Sequence, residues 1–211
     1  MPILAGQPPK LAIEAAARGV FGHAGKATDA TWSALNKSRD ALSLTFPHHI
    51  ATLPLDRIAH GIALRDACKI GDWRFLVEIK QPSALTMADH RRDENAQPVL
   101  AAKIATDSTG AFKLAELNDG PFVQGTAEAV RRAEALDVVQ RENFDALLLY
   151  VPAIHVVALW LQNATPEKDI LLVIPPSNSA LPPYQPLTSD RFVQIVSGLA
   201  LAARATTLDY F

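Results

Sequence analysis

A charged segment near the middle of the chain carries the residues best suited to bind a small ligand. It lies in the most polar part of the sequence, residues 82–98, where two adjacent arginines stand beside a histidine and an aspartate. Such a group can hold a carboxylate or a phosphate through forked hydrogen bonds. A loop of this length inside a compact domain is uncommon and is often functional. The predicted ligand residues, for a small anion, are Asp89, His90, Arg91 and Arg92.

The same segment also fits a simpler interpretation, a solvated surface loop whose charges pair among themselves. Asp93 and Glu94 follow directly, and with the preceding aspartate they can neutralise both arginines. Exposed ion pairs of this kind contribute little to stability. Both interpretations stay open on the sequence.

A second group of charged residues lies on a predicted strand that follows Gly71. In Glu78-Ile79-Lys80 the two charged side chains share one face, because side chains alternate along a strand. With Asp56 and Asp72 upstream, the carboxylates could hold Mg²⁺ while the lysine stabilises charge on a phosphate. The pattern resembles the Asp…(Asp/Glu)-x-Lys signature of restriction-nuclease-like folds. That resemblance implies a metal-dependent hydrolase using Asp56, Glu78 and Lys80. Arg74 shares the same strand face, so an ion-paired, solvated strand surface explains these residues equally well.

The other residues with reactive side chains do not form a recognised site. His48 and His49 are neighbours, so they lack the i, i+4 spacing of helical zinc sites. His155 alternates with apolar residues, which favours a core imidazole bonded to a carbonyl group. Cys68 lies near the end of a predicted helix, and we expect it to pack as a small apolar side chain. We therefore expect no structural metal and no cofactor.

Composition indicates a soluble protein and excludes several classes. Of the 211 residues, 49% are hydrophobic and 20% are charged, which is ordinary for a globular chain. A net charge of −2 lacks the basic excess of nucleic-acid-binding proteins. No apolar run reaches the ~20 residues of a membrane span, and a single cysteine fits a reducing compartment. The N-terminus shows no signal-peptide pattern, so we expect a cytoplasmic protein without nucleic-acid or membrane partners.

The strongest structural signal is a run of three apolar segments in the C-terminal half. Residues 146–151, 154–161 and 170–174 are rich in Leu, Ile and Val, and Pro, Asn and charged residues separate them. Runs that are apolar on both faces are typical of central strands covered on both sides. We predict that these three segments are adjacent strands in the core of the sheet.

Helices and further strands are predicted around this core. Before Gly71 the apolar residues recur with helical spacing, whereas residues 73–80 alternate as a half-buried strand does. Strands in runs, with helices between the runs, favour an α+β fold with a mostly antiparallel sheet of about five to six strands. We predict a helical N-terminal region, an arm or a layer, over residues 1–71 and an α+β domain over residues 72–211.

The individual elements follow from the same patterns. In the domain we predict a hairpin of residues 99–106 and 111–118 and two packed helices that begin at Pro121 and near Ser189. In the N-terminal region we predict helices at 10–20, from 28 or 29 to 42, and at 56–70, with an irregular stretch from Pro47 to Pro54.

We interpret the chain as a non-catalytic binding or assembly module of the kind found in a bacterial cytosol, forming a homo-oligomer, most simply a dimer. Much of it is sheet, few polar groups converge, and aromatic residues such as Trp160 and Tyr184 are expected to be exposed. The alternative is an enzyme with a cleft that acts on a small anionic substrate, through the 82–98 loop or the face of Glu78 and Lys80.

Overall fold

The computed structural model describes residues 3–23, 42–58, 62–79 and 98–208, and the structural statements below concern these residues. The strands are β1 (Ile3–Leu4), β2 (Leu42–Thr52), β3 (Lys69–Ile79), β4 (Pro98–Thr106), β5 (Phe112–Asn118), β6 (Phe144–Val151), β7 (Val156–Gln162), β8 (Ile170–Val173) and β9 (Pro186–Thr188). The helices are α1 (Lys10–His23), α2 (Leu55–Ile58), α3 (Leu64–Ala67), α4 (Pro121–Glu134), α5 (Asp137–Arg141) and α6 (Ser189–Leu208). Within these ranges, none of the helices combines the length and the apolar character that crossing a bilayer requires.

The described strands form one mixed sheet of nine strands, in the order β5-β4-β3-β2-β6-β7-β8-β9 with β1 beside β6. The chain divides into two compact units. Unit 1 comprises the described residues within 1–6, 49–71 and 128–211, and unit 2 those within 7–48 and 72–127.

Unit 1 is built on the three apolar segments singled out in the sequence. β6 pairs with β7 and β7 with β8, both antiparallel, and Val157 and Leu171 are 4% and 0% exposed. Phe192 and Val196 of α6 pack into the same hydrophobic cluster. The prediction of adjacent core strands is confirmed, except that Ile154 lies in a 3₁₀ turn before β7 begins.

The sheet itself differs from the predicted one of five to six mostly antiparallel strands. It is a nine-stranded mixed sheet in the described part of the chain, because β1 and β2 both run parallel to β6. Parallel neighbours are joined by long stretches of chain, so no local turn signal indicates their pairing. The α+β class is confirmed, and the strand number and direction are corrected.

Unit 2 has helical residues on both faces of its strands. β3 pairs with β4 and β4 with β5, all antiparallel, and the last two form the predicted hairpin. The turn is fixed by Asp107, which accepts hydrogen bonds from the backbone N–H groups of Thr109 and Ala111, and by Gly110 with φ +83°. On one face, α1 packs Ala12, Ala15, Ala16 and Val20 against Trp73, Phe75, Val77 and Ile104. On the other, α4 packs Val123 against Leu76 and Ala101.

This double covering changes the interpretation of β3. The alternation of residues 73–80 predicted a half-buried strand with a solvated polar face, yet residues 73–78 are all buried. Arg74 is 4% exposed and Glu78 is 3% exposed. The prediction was wrong because α4 covers the face on which the polar side chains stand.

Several predictions for the first 71 residues are also corrected. The stretch from Pro47 to Pro54, predicted to be irregular, belongs to β2 as far as Thr52. The predicted helix at 56–70 is replaced by the two four-residue helices α2 and α3, and strand β3 already begins at Lys69. The predicted helix from residue 28 or 29 to residue 42 lies outside the described residues, except for Leu42, which begins β2.

Helix α1 runs through Gly19 to His23, three residues beyond the predicted end at residue 20. A Cβ atom at this position would stand 2.6 Å from the Cβ of Leu114 on β5. Glycine therefore allows α1 to approach the strand closely, and this contact outweighs its low helix propensity. α1 packs on the strands of unit 2, and the division into an N-terminal region of residues 1–71 and a domain of residues 72–211 stays a prediction.

Candidate functional site

A row of charged side chains crosses the strands of unit 2 on the face that α4 covers. Arg74 of β3 and Lys103 of β4 are register partners, and Lys103 is in turn paired with Glu116 of β5. Partners across an antiparallel pair have Cβ atoms about 4.5–5.5 Å apart, and like charges at such positions destabilise the sheet. The backbone positions of two cationic residues are thus paired, and the Arg74 side chain is 4% exposed.

Arg74 is fixed in place by groups of α4. Its Nη1 donates a hydrogen bond to Oγ1 of Thr126 at 3.0 Å, and its Nη2 makes a longer contact of 3.5 Å with the carbonyl oxygen of Phe122. Thr126 Oγ1 also donates to the Phe122 carbonyl at 2.5 Å. The guanidinium therefore lies against the first turns of α4, where the helix dipole adds positive potential.

His48 reaches Arg74 because strand β2 changes the phase of its alternation. Leu44 packs with the α1 side of the strands, whereas Phe46, only two residues later, packs with Leu76 on the α4 side. Residues two apart on a regular strand share a face. Phe46 breaks the rule with φ +44°, in the left-handed region that a bulky side chain rarely adopts. His48 consequently joins the α4 side, with its ring centroid 5.1 Å from that of Phe46.

The contacts of His48 specify its tautomer. Nδ1 lies 2.7 Å from the carbonyl oxygen of Phe46, so Nδ1 carries a proton and donates it. Nε2 lies 3.4 Å from Arg74 Nη1 and accepts from it. Because both ring nitrogens are engaged and the side chain is 0% exposed, the imidazole holds Arg74 in position and has no lone pair directed at a substrate.

Asp72 completes the group at the solvent boundary. Its Oδ2 lies 3.2 Å from Nζ of Lys103, and the two side chains are 32% and 38% exposed. Asp72, Arg74 and Glu78 are spaced by even numbers along β3 and so belong to one face. The candidate site is the charged row of Asp72, Arg74 and Lys103, supported by His48 and Thr126.

The predicted ligand residues Asp89, His90, Arg91 and Arg92 lie outside the described residues, so their role stays a prediction. Chain connectivity joins this segment to the two strands that carry Arg74 and Lys103. It joins the end of β3 to the start of β4, and Glu78 and Pro98 are register partners at that end.

The second predicted group, Asp56, Glu78 and Lys80, also stays a prediction. Asp56 is exposed on α2 in unit 1, whereas Glu78 is 3% exposed on β3 in unit 2. Lys80 lies outside the described residues. In the part of the chain that the structure describes, no three His, Cys, Asp or Glu side chains are grouped as a metal site would need.

Two predictions about single residues were wrong. His155 is exposed, with φ +54° at the end of a 3₁₀ turn, instead of being a core imidazole. Trp160 is 0% exposed, and its Nε1 donates to Asp169 at 3.0 Å. The partner of its indole N–H is a buried carboxylate in the connection that follows β7, and the apolar run around Trp160 does not indicate such a partner.

Unit 1 contains a second buried charge, which is structural. The carboxylate of Asp169, 1% exposed, accepts from Arg65 Nε at 3.0 Å and from Arg65 Nη2, Trp160 Nε1 and the backbone N–H of Asn163. These four donors use the acceptor capacity of both oxygens. The hydrogen bond to Asp169 raises the pKa of Arg65. The cluster closes the β7–β8 connection and leaves no acceptor for a ligand.

The comparisons with known proteins add no functional information: no protein-family model, no curated protein and no solved structure matches this chain.

Sequence reasoning noticed Arg74 only as a member of a solvated strand face, and it did not consider Lys103. The available signal was the occurrence of an arginine and a lysine on two successive predicted strands. Their register and the helix that covers them are set by tertiary structure, so the sequence pattern alone does not bring them together.

Proposed function

We propose that the protein is a non-catalytic binding module whose ligand is a small anion, held on unit 2 by Arg74 and Lys103. The observation that carries this proposal is the register pairing of these two cations on one strand face, with Arg74 almost fully buried. Burying a charge is costly and like charges opposite each other repel. An anion beside Lys103, whose side chain is 38% exposed, offsets that repulsion.

The segment with Arg91 and Arg92 is proposed to contribute to the same site. Its two ends are attached to β3 and β4, the strands that carry Arg74 and Lys103. A basic pair tethered there adds guanidinium groups that suit carboxylate or phosphate oxygens.

Binding is favoured over catalysis by the state of His48. A general base needs a lone pair within hydrogen-bond reach of the proton that it removes. Both nitrogens of His48 are already occupied, by the Phe46 carbonyl and by Arg74. The imidazole therefore serves to position the guanidinium.

The test is thermal unfolding of the full chain with phosphate, sulfate or malonate, in wild type and in the variants Lys103→Gln and Lys113→Gln. The control is closely matched, because each lysine lies 3.2 Å from an aspartate, Asp72 or Asp107 respectively. We expect the anions to stabilise wild type and Lys113→Gln by mass action. In Lys103→Gln, the loss of a charge-assisted hydrogen bond worth about 1.5–3 kcal/mol weakens binding at least roughly tenfold.

Two further comparisons complete the experiment. The double variant Arg91→Ala, Arg92→Ala should lose part of the stabilisation by anions. The control is the double variant Arg131→Ala, Arg132→Ala, which removes an exposed arginine pair that bonds Glu128 on α4 and should keep the full stabilisation. General salt stabilisation affects all variants alike, so only differences between them count. Equal shifts in Lys103→Gln and Lys113→Gln would show that the anion does not bind at this row.

A further inference from the structure

We propose that the outer edge of strand β5 is an interface at which a second copy of this chain pairs antiparallel, with Lys113 of each copy opposite Glu116 of the other. The two β5 strands then lie side by side across a two-fold axis, and the sheet continues from one copy into the next. This inference concerns assembly and does not depend on anion binding.

Strand β5 stands at one end of the strand order, and in the described part of the chain only β4 pairs with it. It is seven residues long and contains no proline, and four of its residues are exposed: Lys113, Ala115, Glu116 and Asn118. An edge strand directs backbone N–H and C=O groups outward, where another strand can pair with them. The strand at the other end, β9, has three residues and begins with Pro186, so it offers little for pairing.

A β-bulge puts the two charged residues of β5 on one face. Lys113 and Glu116 are three residues apart, so on a regular strand they would stand on opposite faces. The register against β4 shifts by one residue here, and Ala115 has no partner there. The lysine and the glutamate pair with Ala105 and Lys103, which are two residues apart on β4 and share a face. The lysine and the glutamate therefore share a face as well.

The resulting pattern of charges is complementary to itself in one register. A two-fold axis at Leu114, perpendicular to the sheet, keeps each face of the sheet on its own side and makes the contact identical for both copies. Lys113 then lies opposite the partner's Glu116, and this pair occurs twice. Opposite charges at directly opposed positions stabilise an antiparallel pair. A shift of two positions in either direction would instead place the lysine or the glutamate opposite its own copy, where like charges repel.

The other face of β5 is apolar in the same register. Leu114 lies opposite the partner's Leu114, and Phe112 lies opposite the partner's Leu117. Within one chain these three side chains are half-buried in the clusters that α1 forms on the strands of unit 2. Pairing of the two strands therefore removes further apolar surface from water, which favours association.

The charged side chains have only weak contacts to give up. Lys113 is 64% exposed and lies 3.2 Å from Asp107 in an ion pair at the surface. Glu116 accepts a hydrogen bond of 3.3 Å from Asn118, also at the exposed edge. Exposed contacts of this kind contribute little to stability, so they can be exchanged for contacts across the axis.

The experiment is charge reversal followed by mixing, with the dimer dissociation constant of the full chain measured by sedimentation equilibrium. Lys113→Glu and Glu116→Lys each place like charges opposite each other at both contacts, and we expect each to weaken the dimer at least roughly tenfold. An equimolar mixture of the two variants should form dimers again, because each chain then supplies the charge that the other lacks. The double variant Lys113→Glu, Glu116→Lys should dimerise by itself for the same reason.

The matched controls are Arg141→Glu and Asp137→Lys, which reverse an exposed ion pair on α5. They change the net charge by the same amounts as the two test variants, and we expect them to dimerise as wild type does, alone or mixed. Circular dichroism of each variant checks its folding. Mixing leaves the contacts within each chain unchanged, so recovery of the dimer reports contacts between copies alone.

Three results would overturn the proposal. Single variants that dimerise as tightly as wild type would place the interface elsewhere. A mixture no more dimeric than its two components would show that these charges do not meet across an axis. A bulged and charged edge can also keep a strand from pairing, and a wild type that stays monomeric at every concentration would assign that role to β5.

Discussion

At the scale of single residues, burial alone determines the chemistry of Cys68. The side chain packs against the hydrophobic cluster of unit 1. Loss of solvation raises the pKa of the thiol to about 12. The thiolate is the reactive form, so the small apolar role expected from the sequence also implies low reactivity.

We predict that Cys68 of the native protein reacts slowly with a thiol reagent such as 5,5′-dithiobis(2-nitrobenzoate) at pH 8. The rise of the pKa from its ordinary 9.0 to about 12 lowers the thiolate fraction, and the initial rate, roughly 10³-fold. The control is the same protein unfolded in guanidinium chloride, in which the thiol should react at its usual rate. Comparable rates in the two states would contradict the burial of the thiol.

Residues of the candidate site show where prediction from sequence stops. The position of Arg74 on an alternating strand can be predicted, but the same alternation predicts a solvated side chain, whereas α4 buries it. Lys103 is visible as one residue of a hairpin strand, yet its pairing with Arg74 depends on the register of β4 against β3. Burial and register are set by contacts between elements, which local periodicity does not contain.

At the scale of elements, α1 depends on one close contact with β5. Gly19 stands where a Cβ atom would lie 2.6 Å from Leu114, whereas a Cβ atom at Gly22 of the same helix would meet nothing within 4 Å. Position 19 therefore requires a residue without a Cβ atom, whereas position 22 of the same helix has room for a side chain.

We predict that Gly19→Ala destabilises the protein and that Gly22→Ala does not. Alanine gains up to about 1 kcal/mol of helix propensity at either site. At position 19 the clash costs about 1–3 kcal/mol and cancels or exceeds that gain. Urea unfolding measures both free energies. A Gly19→Ala variant as stable as Gly22→Ala would show that α1 does not approach β5 as closely as described.

Elements with local signals could be predicted, and those with distant partners could not. The β4–β5 hairpin is held by its own turn at Asp107 and Gly110, and its strands were found within a residue. The parallel pairing of β1 and β2 with β6 joins segments far apart in the chain. No turn residue marks such pairs, and the predicted sheet lacked them for that reason.

At the scale of the whole molecule, a homodimer is still our prediction. Among the described residues, Leu11 and Ile13 of α1 are 63% and 43% exposed, and exposed apolar side chains on one helix favour association. We expect sedimentation equilibrium to give twice the chain mass of 22.8 kDa. A double variant Leu11→Gln, Ile13→Gln, which replaces two exposed residues, should weaken the dimer. A constant mass of 22.8 kDa across protein concentrations would exclude it.

The positive φ of Phe46 has a consequence for how the chain tolerates changes of length. Because β2 changes face at this residue, the number of residues between Leu44 and His48 decides which side of the strand the imidazole occupies. Deleting or inserting one residue here would move His48 to the side of α1 without altering any side chain of the charged row. The number of residues between Leu44 and His48 is therefore more strictly constrained than their types. Among related sequences, we expect substitutions in this part of β2 to be more frequent than insertions or deletions.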